Sequence, residues 1–439
     1  MDPQSLPFSE AELKQATLGP PVIWDILAIL LKHGVDDVVV EWREAVPQQL
    51  SGSPLMGHVG RNNATYYVRR FLTPLLGVPL ATQEIEEVDA QGTLTLYFHE
   101  NKDKYGNPSD KVYGVTNCHV LCKETNVNYK FRSGAPRKYV RLCGMHRFQR
   151  GLDEITQAIK DHGILAEVYT RELAKLQVKG VRNQDDTEEL CLLQYNLDRE
   201  LTSIATLEAF HQEVTQNWSN INLDRTIGYV QHADPIKVDK NTGYTSDWAA
   251  FLVDETKVSD QFEGNVVDLG YKFSPSELKA QFYPFDTGPT TFRFPDEGKL
   301  RIHGCATKAE LENPAEVDNE GQRYLMVGKD GNATDLTVGR YAGLISFFEN
   351  EAGVESIEVG IYNSGCKSVE VFSDRGDSGA LVWHCKNGNA YIVGQIHSGQ
   401  NKGGSTSNHV TYCTPGWYLL EQIRKQFQSA NFFPTSWMG

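Results

Sequence analysis

The run Phe372-Ser373-Asp374-Arg375-Gly376-Asp377-Ser378-Gly379-Ala380-Leu381-Val382 constrains the fold more than any other stretch of this chain. Glycines flanking a serine permit a tight, exposed turn that bulkier residues would obstruct. Such a turn can aim the backbone N–H groups of Gly376 and Ser378 into one concavity, with Ser378 Oγ beside them. That is the geometry that holds the oxyanion of a tetrahedral intermediate while a hydroxyl attacks a carbonyl. Ala380-Leu381-Val382 reads as the buried strand leaving the turn. An ordinary surface turn uses the same residue types, so the tetrapeptide acquires meaning from what accompanies it. Ala380 stands where G-x-S-x-G needs glycine, so a histidine and a carboxylate must come from elsewhere.

Two upstream stretches offer them. Val112-Tyr113-Gly114-Val115-Thr116-Asn117-Cys118-His119-Val120-Leu121 is a strand-like run ending in a histidine. In Thr245-Ser246-Asp247-Trp248-Ala249-Ala250-Phe251-Leu252-Val253 an aspartate opens an apolar strand. Asp234, Asp239 and Asp254 lie near, but only Asp247 has that phase. A strand-opening aspartate is also a common cap. The chain order is His, Asp, Ser.

The three stretches resemble the histidine, aspartate and serine boxes of chymotrypsin/trypsin-like serine proteases. Met326 to Gly339 is similar to the Lys-x-Gly hairpin that opens the second barrel in many of them. Ile392-Val393-Gly394-Gln395-Ile396-His397-Ser398-Gly399 is similar to the strand lining their substrate cleft. The helical insertion described below, with GNATDLTVGR and DWAAFLV, also looks like uncharacterised fungal intracellular trypsin-like proteins. The resemblance implies a mainly β fold with α additions, built on two six-stranded antiparallel β-barrels of the chymotrypsin type. It implies a serine endopeptidase working through an acyl-enzyme, with Ser378 as nucleophile, His119 as base and then acid, and Asp247 orienting the imidazole. Gly376 and Ser378 would form the oxyanion hole. Phe372, His397, Ser398 and Gly399 would line the substrate pocket. Phe372 occupies the place where trypsin has its pocket aspartate, so Arg/Lys specificity is not implied. There is no Ile-Val-Gly-Gly sequence, so no zymogen switch is expected, and Asp377 needs a partner other than a new N-terminus. Two alternatives stay open: a catalytically silent interaction scaffold on a protease fold, and an esterase using the same triad.

Residues 150–217 break the β pattern. Leu152, Ile155, Ile159, His162, Ala166, Tyr169, Leu173 and Leu176 step by threes and fours. After a polar loop over 178–189, Leu190, Leu193, Leu197, Leu201, Ile204, Leu207, Phe210 and Val214 do much the same. This period predicts two long helices packed as an antiparallel hairpin of coiled-coil type. The hairpin either props the barrel or docks a protein partner. Thr93-Leu94-Thr95-Leu96-Tyr97-Phe98 alternates as a half-buried strand should. The expected organisation is an N-terminal helix–strand extension over 1–65, with helices near Ser9–Leu13 and Val22–Lys32 and a strand over Asp36–Trp42. The first barrel follows over 66–255, interrupted by the hairpin, then a linker over 256–295 and the second barrel with a C-terminal helix over 296–439.

The net charge of −15 disfavours nucleic acid and anionic membranes as partners; a protein or peptide substrate is what the resemblance implies. No transmembrane run is present. The first residues lack the basic and apolar regions of a signal peptide, so the reading is an intracellular, cytoplasmic chain. Eight cysteines are few for a stapled secreted domain and are expected to be mostly free thiols. Cys118 and Cys122 form a lone C-x-x-x-C, so no metal or other cofactor is assigned.

Overall fold

The computed structural model describes residues 28–35, 52–83, 85, 92–103, 105–180, 183–270, 272–283, 292–318, 320–349, 354–363, 371–400 and 409–438. The chain divides into two compact units, Met1–Leu50 and Ser51–Gly439. In the first unit residues 28–32 are helical. The helix expected near Ser9–Leu13, the start of the one over Val22–Lys32 and the strand over Asp36–Trp42 lie outside the described residues.

The second unit holds two large curled sheets, mostly antiparallel, and a small two-stranded one, Lys237–Val238 with Thr245–Ser246. The first uses β1 (Pro79–Thr82), β2 (Gly92–Thr93), β3 (Leu96–Glu100), β4 (Val112–Thr116), β5 (Tyr139–Leu142), β6 (Thr226–Ala233) and β7 (Ala249–Val253), in the order β2-β1-β5-β6-β7-β4-β3. β2 runs on into β3 across Leu94 and Thr95, whose N–H groups bond Val78 O and Val115 O. The sheet is thereby brought round on itself, and β2 with β3 acts as one barrel strand.

The second sheet uses β8 (Val266–Asp268), β9 (Lys299–Cys305), β10 (Arg323–Lys329), β11 (Thr337–Glu349), β12 (Glu355–Asn363), β13 (Leu381–Lys386), β14 (Asn389–Gln400) and β15 (Val410–Pro415). Six of them close in the ring β10-β11-β12-β15-β14-β13, because β14 pairs both with β13 and with β15. β9 joins β14 in parallel and carries β8 on its other edge. One closed six-stranded antiparallel barrel and one curled half-barrel sheet, with helical additions, match a chymotrypsin-type two-barrel fold.

Closure leaves few exposed edges and buries two apolar clusters. The larger runs through the first barrel and includes Leu80, Leu96, Phe98, Val115, Val140 and Phe251. The smaller fills the second, around Val327, Ile361, Phe372, Val382 and Val393. Each such side chain contributes about 1.5–3 kcal/mol by leaving water. Beyond β15, a C-terminal helix (Gly416–Gln426) is followed by a short strand, Ala430–Asn431, that pairs with β3. The chain end is thus docked on the first barrel, with Phe427 and Phe432 against Phe98.

The helical hairpin consists of α2 (Met145–Lys179) and α3 (Gln184–Trp218), introduced after α1 (Cys118–Leu121). It begins five residues earlier than the periodicity predicted, and its connection is shorter. Asn183 caps α3 by accepting from the Asp186 N–H, so the acidic run expected in the loop forms the first helical turn instead. His162 meets Glu200 and Lys179 meets Asp186, so the helices run antiparallel. The base is packed into the larger core by Phe148, Ile155, Leu207, Phe210, Val214 and Trp218. Further out the seam is mixed: Ala166, Leu173 and Leu176 are buried there beside the polar pairs His162–Glu200 and Lys179–Asp186. Leu201, read from spacing as a seam residue, is exposed, and Glu200 is buried in its place against His162. Burial alone would raise the Glu200 pKa, but hydrogen bonds from His162 and Arg199 outweigh it and hold it low.

The alternating strand also differs from expectation. Thr93 and Thr95 are fully buried rather than facing water. Their hydroxyls are taken up by the serine turn of the other barrel, which lies against this face. Among the described residues no helix is long and apolar enough to cross a membrane, and the seven described cysteines carry no disulfide.

Candidate active site

Strand register brings His119 to Asp247. β7 pairs antiparallel with β4, Ala249 opposite Thr116. Residues just after Thr116 and just before Ala249 therefore leave the sheet at the same end. The histidine sits not on the strand but one residue into α1, a single helical turn that follows it. Asn117 Nδ2 donates to Asp247 O at 2.8 Å and fixes the aspartate's backbone. His119 Nδ1 lies 2.5 Å from Asp247 Oδ2, and the His119 N–H donates to Oδ1 at 3.3 Å. Asp247 is buried while the imidazole is about one-third exposed. Burial alone would lower the His119 pKa, but the Asp247 carboxylate overcomes it and the pKa is raised above 6.5.

Ser378 sits in a turn with two glycines in the left-handed region, Gly376 at φ +109° and Gly379 at +90°. At Gly379 a side chain is also sterically barred. A Cβ there would lie 2.3 Å from both Thr93 O and Thr116 Oγ1. The first barrel stitches this turn down. The Thr93 N–H donates to Ser378 O at 2.7 Å, Thr93 Oγ1 to Gly376 O at 3.1 Å and Thr95 Oγ1 to Gly379 O at 2.5 Å. The N–H groups of Asp377 and Gly379 bond Asp374 O and Ile396 O. Those of Gly376 and Ser378, which alternate with them, have no acceptor among the described residues. No hydrogen bond joins Ser378 Oγ to His119 among the described residues, although both side chains line one cleft of about 550 Å³.

Asp377, between the two free N–H groups, is fully buried. Its partner is Lys329, equally buried, with Nζ 3.0 Å from Asp377 Oδ2. Lys329 ends β10, and its place opposite Val382 of β13 carries it to the serine turn. Nζ also donates to Thr334 Oγ1 and to Asp335 O. The carboxylate accepts in addition from the Ala333 and Asp374 N–H groups and from Thr334 Oγ1. Desolvation alone would raise the Asp377 pKa; Lys329 and these donors outweigh it and the pKa is lowered. The pairing spans 48 residues. A lysine inside a Lys-x-Gly turn carries no sign that it will be buried.

The other pocket residues read from the sequence fall elsewhere. Phe372 is fully buried in the second core, where its ring packs against Gly339. Beside it Ser373 Oγ lies 2.6 Å from Thr411 Oγ1. His397 and Ser398 are hydrogen-bonded to each other on β14. His397 Nε2 is 3.0 Å from the buried Glu358 Oε2, at ion-pair distance but out of line for a hydrogen bond. None of Phe372, His397, Ser398 or Gly399 borders the cleft shared by His119 and Ser378. Its walls come instead from His146, Arg147 and Arg150 at the start of α2, from Asn332, and from Arg375. Sequence reasoning did not single out these residues, because nothing in the chain says that the hairpin's first turns face the serine.

No family model matches the sequence, and no curated protein sequence matches it. Among solved structures the chain is similar to Nocardiopsis protease (NAPase), at TM-score 0.33 and 10% identity over 81% of this chain and 96% of that one. It is similar to a glutamic acid specific serine protease, at 0.33 and 11% over 81% and 97%. A third is Thermobifida fusca protease A, at 0.32 and 9% over 80% and 95%. All three neighbours are proteases.

Proposed function

We propose that this protein is a serine endopeptidase. Ser378 Oγ attacks the scissile carbonyl carbon, and its proton passes to His119 Nε2. The C–N bond then breaks, and His119 returns the proton to the leaving amine. Water repeats the sequence on the acyl-enzyme and regenerates the serine. Asp247 holds the imidazole with Nδ1 protonated and stabilises the imidazolium. The Gly376 and Ser378 N–H groups receive the developing oxyanion. The observation that carries this reading is the pair of N–H groups flanking Asp377 that have no acceptor among the described residues, on residues lining the same cleft as His119, which Asp247 holds from behind. The chemistry needs no metal or cofactor.

A second reading, a silent scaffold, draws on the missing Ser378–His119 hydrogen bond. Labelling with a fluorophosphonate probe and mapping of the modified peptide decides between them. Wild type is expected to label at Ser378 alone, with labelling lost in Ser378→Ala and strongly reduced in His119→Ala. Well-folded wild-type protein that does not react would overturn the enzyme reading. Hydrolysis of casein as well as simple esters separates a peptidase from an esterase.

A further inference from the structure

We infer that the cleft beside Ser378 selects a substrate with an acidic side chain on the leaving-group side of the scissile bond; this rests on the endopeptidase reading. The protein as a whole carries −15 charges, yet among the described residues no carboxylate borders this cleft, whereas Arg147, Arg150, Arg375 and His146 do. Arg147 is 4% exposed and stacks over the Phe71 ring at 4.7 Å. Its Nη2 reaches Glu154 at 3.5 Å, while Nε and Nη1 have no hydrogen-bond partner. Both of these donors are closed off from solvent, so Arg147 lends the wall positive charge and not a free hydrogen bond. Arg150 is held by Glu154 and by Asp335, and its Nη1 donates to Asn332 O. The acids that position these two arginines stand behind the lining. Arg375 precedes Gly376 directly, is exposed, and has no ion-pair partner among the described residues. The first turn of α2 opens here with no side-chain cap and no acidic residue, adding the positive end of a helix.

The side of the scissile bond follows from the same lining. His119 delivers its proton to the departing amine, so the space next to His119 and Val120 receives the leaving peptide. The β14 edge at His397 to Gly399, where the resemblance places the substrate pocket, contributes nothing to this cleft. The ligand class is a peptide with Asp or Glu within the first three positions after the bond cut.

The test digests a proteome-derived peptide mixture and reads residue frequencies on both sides of each cut by mass spectrometry. Wild type is expected to enrich Asp and Glu after the cut. Internally quenched peptides built on the best sequence, differing only in Glu or Gln at that position, are expected to differ roughly tenfold or more in kcat/KM. Arg375→Glu should bring that ratio to one or below. Cleavage with no acidic enrichment, or a ratio unmoved by Arg375→Glu, overturns the inference and leaves the endopeptidase reading intact. If wild type neither labels nor cuts, the endopeptidase reading falls. The Ser378→Ala protein then still decides the charge preference by fluorescence polarisation with labelled Glu and Gln peptides. Tighter binding of the Glu peptide, weakened by salt, supports it, and equal binding overturns it.

Discussion

Two basic side chains near Ser378 are each paired with an aspartate, and the pairs differ in burial. His119 with Asp247 lies at the rim of the first barrel, one partner buried and the other about one-third exposed. Lys329 with Asp377 is wholly enclosed in the second. A proton can enter and leave the first pair, so it suits acid–base work. The second has no route to water, and its three-donor ammonium is used up by Asp377, Thr334 and Asp335. It suits permanent fixation of the turn that carries the two N–H groups proposed to receive an oxyanion. Similar charges therefore serve chemistry in one place and architecture in the other.

The comparison breaks most visibly on activity. Asp247→Asn should keep the fold, with a loss of about 1 kcal/mol in urea unfolding, while kcat/KM falls roughly 10⁴-fold because the imidazole is left in the wrong tautomer. A variant that retains a tenth of wild-type activity would deny Asp247 its role. Lys329→Met should do the reverse. It strands a buried carboxylate and should cost about 3–5 kcal/mol in the same unfolding measurement, with fluorophosphonate labelling lost in the fraction that stays folded. Normal stability together with normal labelling would remove the clamp from the account.

The smallest effect, and the sharpest, is in pH. His119 has a raised pKa in the folded chain, so the stability its pairing provides is fully present below about 6.5 and is lost as pH rises through the folded value. Activity needs the neutral imidazole and should appear over that same rise, at about tenfold per unit below the plateau. Asp377 has a lowered pKa. Its contribution is present above the ordinary carboxylate value and is lost only as pH falls through the folded one. Profiles of kcat/KM and of urea midpoint for wild type and His119→Gln test this. A kcat/KM profile that is flat from pH 5 to 8 would contradict it.

Much of the architecture was legible because periodicity is local. The steps of three and four through Ile155 and Leu173, and the alternation through Leu94 and Leu96, report helix and strand from neighbouring residues alone. The three boxes could be ordered along the chain for the same reason. What could not be read depends on register between distant strands. Val382 opposite Lys329 converts an unremarkable lysine into the counter-ion of Asp377. Counting six residues back from Ser378 placed Phe372 in a pocket, but an apolar ring is more stable in the core against Gly339. Leu201 followed the seam by spacing and lost the position to Glu200, because His162 across the hairpin offers a hydrogen bond that leucine cannot accept.

Thr93 bears on when the protein becomes competent. Its bond to Gly376 O joins residues 283 positions apart in the chain. Contacts at that separation repay their loop-closure entropy only after both flanking regions are ordered. The serine turn is therefore completed only after the second barrel has been synthesised and has met the first. A nascent or half-folded chain carries all three boxes but no assembled site. On the endopeptidase reading, the ordering of contacts spares the protein's own unfolded segments while it folds.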